Sequence, residues 1–313
     1  MENSRAFLDS YKKYINQGWF GGSISTMDLD YWVENFKRRS SNAEFDPIVC
    51  AHFLLNSLIF YQDSHMEAII RSIENNIKNR LNQSEELCCK HRLSDADLEI
   101  LWNEYKQHSV IVAATKPGDT GSSAHSAARL WRNATTVDVL GIEGLKDAID
   151  FQQKTHVFFV DDFIGTGTQM LGFLEDRLFK RKDMYGFSTV KELIEATQET
   201  IDYNVAVFAL HETGKQMLTD AIPSLNFYYG DLYTAQYNLA SHECILFDLF
   251  KSDKDNIISY IIEKQKELDP TNPYALNLPI SFQHGCPNNT LSLYYKSSSD
   301  WSKLLTETHP RQS

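Results

Sequence analysis

Residues 157–169 carry the clearest structural signal in the sequence and read VFFVDDFIGTGTQ. Four apolar residues predict a buried strand, and two adjacent carboxylates, Asp161 and Asp162, end it. A turn rich in small and hydroxyl residues then leads into a predicted helix that begins near Met170. A buried strand followed by a tight turn and a helix is typical of sheets in which helices cover both faces.

The same pattern repeats on both sides of this segment. Short apolar runs alternate with helical periodicity, and the runs lie at 109–115, 136–142, 156–162, 203–210 and 225–230. The helical patterns between them cover 122–132, 168–181, 188–201 and 213–221. This alternation predicts an α/β fold with a doubly wound parallel sheet. Ligands of such sheets bind outside the carboxyl ends of the strands, so the residues that follow each run are the candidate site.

The rest of the chain has a different character. Residues 1–107 show helical spacing of apolar residues and predict an all-helical N-terminal region, which precedes an α/β core at 108–240. Residues 241–313 predict helices at 242–250 and 256–268. Extended aromatic segments then flank a Pro-Asn-Asn-Thr turn at 287–290, and they predict a closing segment, or hood.

Composition narrows the function classes. The 313 residues are 42% hydrophobic and 23% charged, as in ordinary globular proteins, and the net charge is −12. No general electrostatic attraction to nucleic acid or to an anionic membrane follows from that charge, so any phosphate must be met locally. The five cysteines form no CxxC motif and predict a reducing, cytoplasmic location. Neither a signal peptide nor a membrane span is expected.

The turn after the carboxylates suits a phosphate group. Its small residues allow backbone N–H groups to approach phosphate oxygens, Thr166 and Thr168 add hydroxyl donors, and the next helix contributes its positive end. Asp161 and Asp162 would repel the same phosphate. They are better matched to sugar hydroxyls or to a hydrated Mg²⁺.

This segment resembles the phosphoribosyl pyrophosphate (PRPP) motif of the type I phosphoribosyltransferases, which has four apolar, two acidic and two apolar residues before a Thr/Gly-rich stretch. The resemblance implies that Asp161 and Asp162 hold the ribose hydroxyls and bind Mg²⁺ through water. It also implies that the 5-phosphate is wrapped by Gly165, Thr166, Gly167, Thr168 and Gln169.

The family also has a pyrophosphate-binding loop one strand earlier, and residues 116–122 follow the run at 109–115. In the loop, Lys116 would support the leaving pyrophosphate and act beside Asp161 and Asp162 in catalysis. By itself this stretch reads equally well as a glycine-rich turn, since it lacks the ending of a nucleotide P-loop. The loop residues are Lys116, Pro117, Gly118, Asp119, Thr120, Gly121 and Ser122.

Three features depart from the family pattern. Gln169 stands where a small hydroxyl residue is usual, and Gly165 stands where some purine-salvage members carry an aspartate near the base. The connection between the strands that end near 142 and begin near 156 is short, so the flap that covers the substrates in many members is expected to be short or absent.

Acceptor recognition is predicted in two places. Asp231 follows the run at 225–230, and Asn288 with Asn289 forms part of the hood turn. His211 ends another run on the ligand edge, although a helix cap at Thr213 accounts for that stretch as well. The chain's ending and helical N-terminal region also resemble a divergent phosphoribosyltransferase-like branch found in bacterial defence and retron-type conflict systems.

Two functions therefore stay open. One is an enzyme that binds PRPP or a related nucleotide with Mg²⁺, transfers phosphoribosyl to an acceptor and releases pyrophosphate, in a defence setting if the second resemblance holds. The other is a non-catalytic nucleotide sensor that acts through a protein partner, such as another product of a defence operon. Tight direct binding of nucleic acid by the isolated chain is not expected from its acidic charge.

Overall fold

The structure is a computed structural model that describes residues 2–18, 20, 24–37, 45–89, 93–115, 122–176, 187–271 and 276–305. The chain forms two units, of which the first joins Met1–Gln62 to Tyr233–Ser313 and the second is Asp63–Leu232. The predicted boundaries after residues 107 and 240 differ from this division. The reason is that pairing and packing between distant parts of the chain, which the sequence pattern does not reveal, set the units.

The described strands and helices are numbered in chain order. The strands are β1 (Ile59–Tyr61), β2 (Ser109–Ala113), β3 (Val139–Leu140), β4 (His156–Ile164), β5 (Asp202–His211), β6 (Asn226–Tyr233) and β7 (Ile280–Phe282). The helices are α1 (Glu2–Asn16), α2 (Thr26–Glu34), α3 (Ile48–Ser57), α4 (Asp63–Cys89), α5 (Asp95–Gln107), α6 (Ser123–Thr135), α7 (Leu145–Gln152), α8 (Thr168–Glu175), α9 (Val190–Thr197), α10 (Glu212–Ala221), α11 (Lys254–Leu268) and α12 (Ser292–Tyr295). Short 3₁₀ helices cover Asn35–Lys37, Ile142–Gly144, Ala235–Tyr237 and Ile245–Phe250.

The second unit contains a five-stranded sheet in the order β3-β2-β4-β5-β6. Strand β2 pairs in parallel with β3 and β4, and β4 pairs in parallel with β5. This arrangement confirms the predicted doubly wound α/β fold. The chain leaves β2 toward one side to form β3 and reaches β4 on the other side, so the strand order reverses between β2 and β4. In open α/β sheets, that reversal marks the crevice in which ligands bind.

Helices cover both faces of this sheet. Alternate β4 side chains, Val157 and Phe159, share one buried cluster with Leu174 of α8, Leu193 of α9 and Leu218 of α10. The opposite face belongs to other helices, since α6 packs on β2 and β4 while α4 packs on α6. Burial on both faces explains why β2 and β4 read as nearly continuous apolar runs.

Three helices begin at the carboxyl edge of the sheet. Helix α6 follows β2, with Ser122 as its N-cap; α8 follows β4, with Gly167 as its N-cap; and α10 follows β5 directly, with His211 as its N-cap. Each helix carries a partial positive charge at its N-terminus. The positive ends of three helix dipoles therefore lie at the edge that the sequence pattern singles out.

The first unit has its own aromatic core. Trp32 of α2 stacks on Tyr294 of α12 with ring centroids 6.2 Å apart, and Phe53 of α3 stacks on Phe247 at 4.2 Å. Strand β1 pairs in parallel with β7, so the N-terminal region contains one short strand among its helices. Residues 292–295, predicted to be extended, form α12 because their side chains are buried against α11 and its neighbours.

Among the residues that the structure describes, no helix is long and apolar enough to cross a membrane.

Candidate functional site

The two adjacent carboxylates lie within β4, close to its carboxyl end. Asp161 and Asp162 are 3% and 5% exposed, so both are buried although they are acidic. The backbone N–H of Asp162 donates a hydrogen bond to Asp161 Oδ1 at 2.9 Å. Buried carboxylates are costly unless they are hydrogen-bonded or paired. A pair at this position therefore calls for either a structural partner or a ligand.

Ser123, the first residue of α6, supplies part of that partnership. Its Oγ lies 2.9 Å from Asp162 Oδ1 and 3.2 Å from Asp161 Oδ1. A serine hydroxyl carries a single proton, so the two carboxyl groups share one donor. Sequence analysis overlooked Ser123 because a serine at the start of a helix reads as part of a cap.

Burial raises the pKa of Asp161 well above its usual range, and the neighbouring charge of Asp162 raises it further. The hydrogen bonds from the Asp162 backbone and from Ser123 act in the opposite direction. Burial outweighs them because few groups compensate the charge inside the protein. The pair thus retains a proton at pH values at which an exposed aspartate is ionised, and a cation or hydroxyl donor would favour its loss.

The predicted phosphate turn follows β4 directly. Gly165 and Gly167 are buried, whereas Thr166 is half-buried and Thr168 and Gln169 are exposed in the first turn of α8. The hydroxyl oxygens of Thr166 and Thr168 lie 3.2 Å apart, within hydrogen-bond distance. Gly167 has φ +84°, a conformation that glycine adopts without strain, and it brings no capping side chain to α8. The turn thus presents two hydroxyls beside an uncapped helix N-terminus.

Gly214 in the first turn of α10 lies against this turn. A Cβ at position 214 would lie 3.0 Å from Gly167 N and would overlap the carbonyl oxygen of Gly165. Conversely, a Cβ at Gly167 would lie 3.0 Å from Gly214 O. A glycine inside a helix costs helix stability, so a glycine within the helical pattern at 213–221 is a sequence signal that could have indicated a close backbone approach.

His211, which the sequence left open, has a capping role. Its Nδ1 accepts a hydrogen bond from Thr213 N at 3.1 Å, so His211 and not Thr213 is the N-cap of α10. Because Nδ1 accepts, the neutral ring carries its proton on Nε2. His211 is buried and follows Leu210, which is paired with Ile164 of β4. It therefore lies at the same sheet edge as the phosphate turn.

The structure places the acid pair near the carboxyl end of β4 and the phosphate turn directly after that strand. Of the predicted pyrophosphate loop, Ser122 is the buried N-cap of α6, and its side chain accepts from Ala124 N at 3.3 Å. Residues 116–121, including Lys116, lie outside the described residues, so their predicted role stays a prediction. That loop comprises Lys116, Pro117, Gly118, Asp119, Thr120 and Gly121.

The predicted acceptor residues fall in different units. Asp231 is exposed and lies inside β6, the strand next to β5, instead of after the strand. Asn288 and Asn289 belong to the first unit, where Leu278 N donates to Asn289 O at 3.0 Å and an isolated bridge pairs Leu278 with Thr290. Their role in acceptor recognition stays a prediction.

The connection from β3 to β4 agrees with the expectation of a short or absent flap. It contains the 3₁₀ helix Ile142–Gly144 and α7, and Leu145 and Ala148 of α7 are completely buried. A segment anchored in the core in this way is not free to fold over a ligand.

The donor set around the acid pair fits Mg²⁺ in one particular manner. Within the described residues, no group of three or more His, Cys, Asp or Glu side chains is arranged to hold a metal ion. Mg²⁺ usually binds through one or two carboxylates and completes its shell with water and substrate oxygens. Asp161 and Asp162 match that pattern, in which the ion arrives with a phosphorylated ligand.

Comparison with known proteins agrees with the fold. The family model described as PRTase-CE matches residues 29–306. The chain belongs to this family, which is phosphoribosyltransferase-like. The match includes residues of both units. No curated protein matches the sequence.

Proposed function

We propose that this protein binds PRPP, or a related ribose 5-phosphate nucleotide, together with Mg²⁺ and transfers the phosphoribosyl group to an acceptor. The observation that carries the proposal is a buried acid pair near the end of β4, followed by a turn suited to a phosphate group. Asp161 and Asp162 lie near the carboxyl end of β4, beside the reversal of strand order, and Gly165–Thr168 follow the last residue of the strand, Ile164. The family membership supports the same substrate class.

In the transfer, the bond between ribose C1 and the pyrophosphate oxygen breaks, and its electron pair leaves with pyrophosphate. A lone pair of the acceptor forms the new bond at C1. Mg²⁺, when bound, would neutralise charge on the leaving pyrophosphate. Because the leaving group is already activated, the protein contributes mainly by orienting the reactants and stabilising developing charge.

Each part of the site has a distinct task in this proposal. Asp161 and Asp162 accept hydrogen bonds from the ribose hydroxyls and fix the angle of the ring. The N–H groups at the start of α8, with Thr166 and Thr168, hold the 5-phosphate. Lys116 adds positive charge at the leaving group.

Binding is tested by calorimetric titration of the native protein with PRPP in the presence and absence of Mg²⁺. The expected result is micromolar, Mg²⁺-dependent binding that is lost when Asp161→Asn and Asp162→Asn are combined. Binding that survives both substitutions would overturn the assignment of the acid pair. Release of pyrophosphate in the presence of a panel of free bases then tests transfer itself.

A nucleotide sensor is the second candidate, and the anchored connection between β3 and β4 favours it. Without a flap from that segment, water has easier access to the site, and a transferase would lose substrate to hydrolysis. A sensor would bind PRPP without releasing pyrophosphate and would signal its bound state to a protein partner.

A role in antiviral defence, as an effector or a sensor of a retron-type system, rests on the resemblance alone. A cytoplasmic location is part of this proposal, and it is supported by the free, buried thiols of Cys50 and Cys244.

A further inference from the structure

The arrangement of Ser123 between the two carboxyl groups suggests a role beyond capping. Its Oγ is within hydrogen-bond distance of one oxygen of each aspartate, at 3.2 Å from Asp161 Oδ1 and 2.9 Å from Asp162 Oδ1. Successive residues of a strand point to opposite faces of a sheet. The carboxyl groups of Asp161 and Asp162 nevertheless meet at one hydroxyl. Their side chains must therefore be turned toward a common point, and the Ser123 hydroxyl lies at that point.

The position of Ser123 is itself rigid. It begins α6, and the buried residues Ala124, Ala127 and Ala128 pack this helix against the sheet with at most 1% exposure each. Alanines at the interface let the helix lie close to the strands, because they occupy little space. A hydroxyl on the first turn of α6 therefore reaches the strand that carries the acid pair, and a loose helix would not keep it there.

We propose that Ser123 is a positioning residue, which holds the Asp161 and Asp162 carboxyl groups in one orientation for the ribose hydroxyls and the Mg²⁺ that accompany PRPP. This inference rests on the proposed function. Ser123 acts through the acid pair and is not itself assigned a contact with the ligand. Without its hydroxyl, the two buried carboxyl groups lose their common hydrogen-bond donor, and realigning them lowers the affinity for the ligand.

The test compares four proteins: the native chain, Ser123→Ala, Ser123→Thr and Ser126→Ala. Ser126 is the matched control because it is also half-buried and lies three residues further along α6, where its Oγ accepts from Arg129 at 3.3 Å. Calorimetry measures PRPP binding with Mg²⁺ and with a chelator, and the ratio of the two dissociation constants gives the benefit from Mg²⁺. Inorganic phosphate binding and the melting temperature are measured for each protein.

The expected result for Ser123→Ala is PRPP affinity in Mg²⁺ reduced by about tenfold, the effect of losing a hydrogen bond to a charged group. The dissociation constant for PRPP in chelator divided by that in Mg²⁺ should fall. The affinity for inorganic phosphate should stay unchanged because the turn after β4 is untouched. Ser123→Thr keeps a hydroxyl and should bind PRPP nearly as tightly as the native chain. Ser126→Ala should match the native chain in all measurements.

Several results would overturn the inference. One is an unchanged Mg²⁺ ratio in Ser123→Ala. Another is a parallel loss of phosphate binding and melting temperature, which indicates a purely structural role, and a third is a failure of Ser123→Thr to restore binding. If the native chain itself does not bind PRPP, the proposed function fails and the inference fails with it, a result distinct from the other three.

Discussion

Gly214 of α10 lies in backbone contact with Gly165 of the phosphate turn. A Cβ built at position 214 would overlap the Gly165 carbonyl oxygen and lie 2.7 Å from Ile164 Cγ2. Both contacts would be closer than the Cβ atoms of real proteins come to other atoms. Neither the Gly165 carbonyl oxygen nor the buried Ile164 methyl group is the flexible end of a long side chain that could move away. The shape of the turn after β4 therefore depends on the absence of a side chain after β5.

The substitution Gly214→Ala tests this dependence. The new methyl group must displace either the turn or α10, and we expect PRPP affinity to fall at least tenfold because the N–H groups and hydroxyls of the turn lose their alignment. Overpacking of this kind usually costs about 1–3 kcal/mol of unfolding free energy. Calorimetry and denaturant unfolding measure the two effects.

Gly172, inside α8, is the matched control. A Cβ at this position meets no atom within 4 Å. Gly172→Ala should raise the free energy of unfolding by about 0.5–1 kcal/mol, since alanine is the better helix former. PRPP affinity should not change. If the two glycine substitutions had the same effect on binding, the contact with Gly165 would have no functional meaning.

Asp161→Asn is expected to stabilise the fold and abolish ligand binding. Burial raises the pKa of Asp161 in the folded protein, so its folded state binds a proton more tightly than its unfolded state. The associated stability is fully present below the unfolded pKa, near 3.8, and is lost as pH rises through the raised folded value. An asparagine removes this loss, and it keeps an oxygen that accepts from Ser123 and from the Asp162 backbone.

Melting temperature measured from pH 4 to pH 8 checks this expectation. The native protein should lose stability relative to Asp161→Asn as pH rises, while the exposed control Asp9→Asn should follow the native curve. Gain of stability with loss of function is typical of a site maintained at the expense of the fold. A native curve parallel to that of Asp161→Asn would mean that the carboxyl group is ionised without penalty.

The sequence predicts those features of the fold that are caused by neighbouring residues in the chain, and it misses those caused by distant ones. The segment 157–169 predicted β4, its acid pair and the following turn, because strand periodicity and turn chemistry act over a few residues. Strand β1 was missed because its partner β7 lies more than 200 residues away, as in the pairing of Ile59 with Ile280. Residues 292–295 were predicted to be extended, since aromatic residues favour strands and burial by neighbouring helices is not visible in sequence.

The candidate site shows the same limit. Asp161, Asp162, Thr166 and Thr168 were identified because a known motif covers them. Ser123 lies 38 residues before Asp161 in the chain, and the fold alone brings the two together. Gly214 left a local trace as a glycine within a helical pattern, but only the structure identifies its neighbour.

The hydroxyls of the phosphate turn are tested by Thr166→Val and Thr168→Val, which preserve side-chain shape. Each hydroxyl is expected to donate to the 5-phosphate, and its loss should weaken PRPP binding about tenfold, as for other hydrogen bonds to charged groups. Unfolding free energy should change by less than about 0.5 kcal/mol because both side chains are partly or fully exposed. Titration with PRPP and with inorganic phosphate measures the binding.

Thr219→Val serves as the control for these changes. Thr219 is exposed on α10, where its Oγ1 donates to Lys215 O at 2.9 Å, within the helix. It should leave both affinities unchanged. A loss of PRPP binding without loss of phosphate binding in the Thr166 and Thr168 variants would contradict the assignment of the turn to the 5-phosphate.

Asp231→Asn separates acceptor recognition from PRPP binding. Asp231 is held in β6 beside Gly230, where an added Cβ would lie 2.7 Å from Phe208 O of β5 and 2.8 Å from Ile69 of α4. This close approach restrains the backbone of β6, which carries Asp231 on the strand next to β5. If it accepts a hydrogen bond from the acceptor, its replacement should slow acceptor-dependent release of pyrophosphate at least tenfold and change PRPP affinity less than twofold. The rate is measured as pyrophosphate released at fixed times with each free base of the panel, and Asp220→Asn, which changes another exposed aspartate, is the control. If Asp231→Asn weakened PRPP binding as much as it slowed pyrophosphate release, Asp231 would act on PRPP and not on the acceptor.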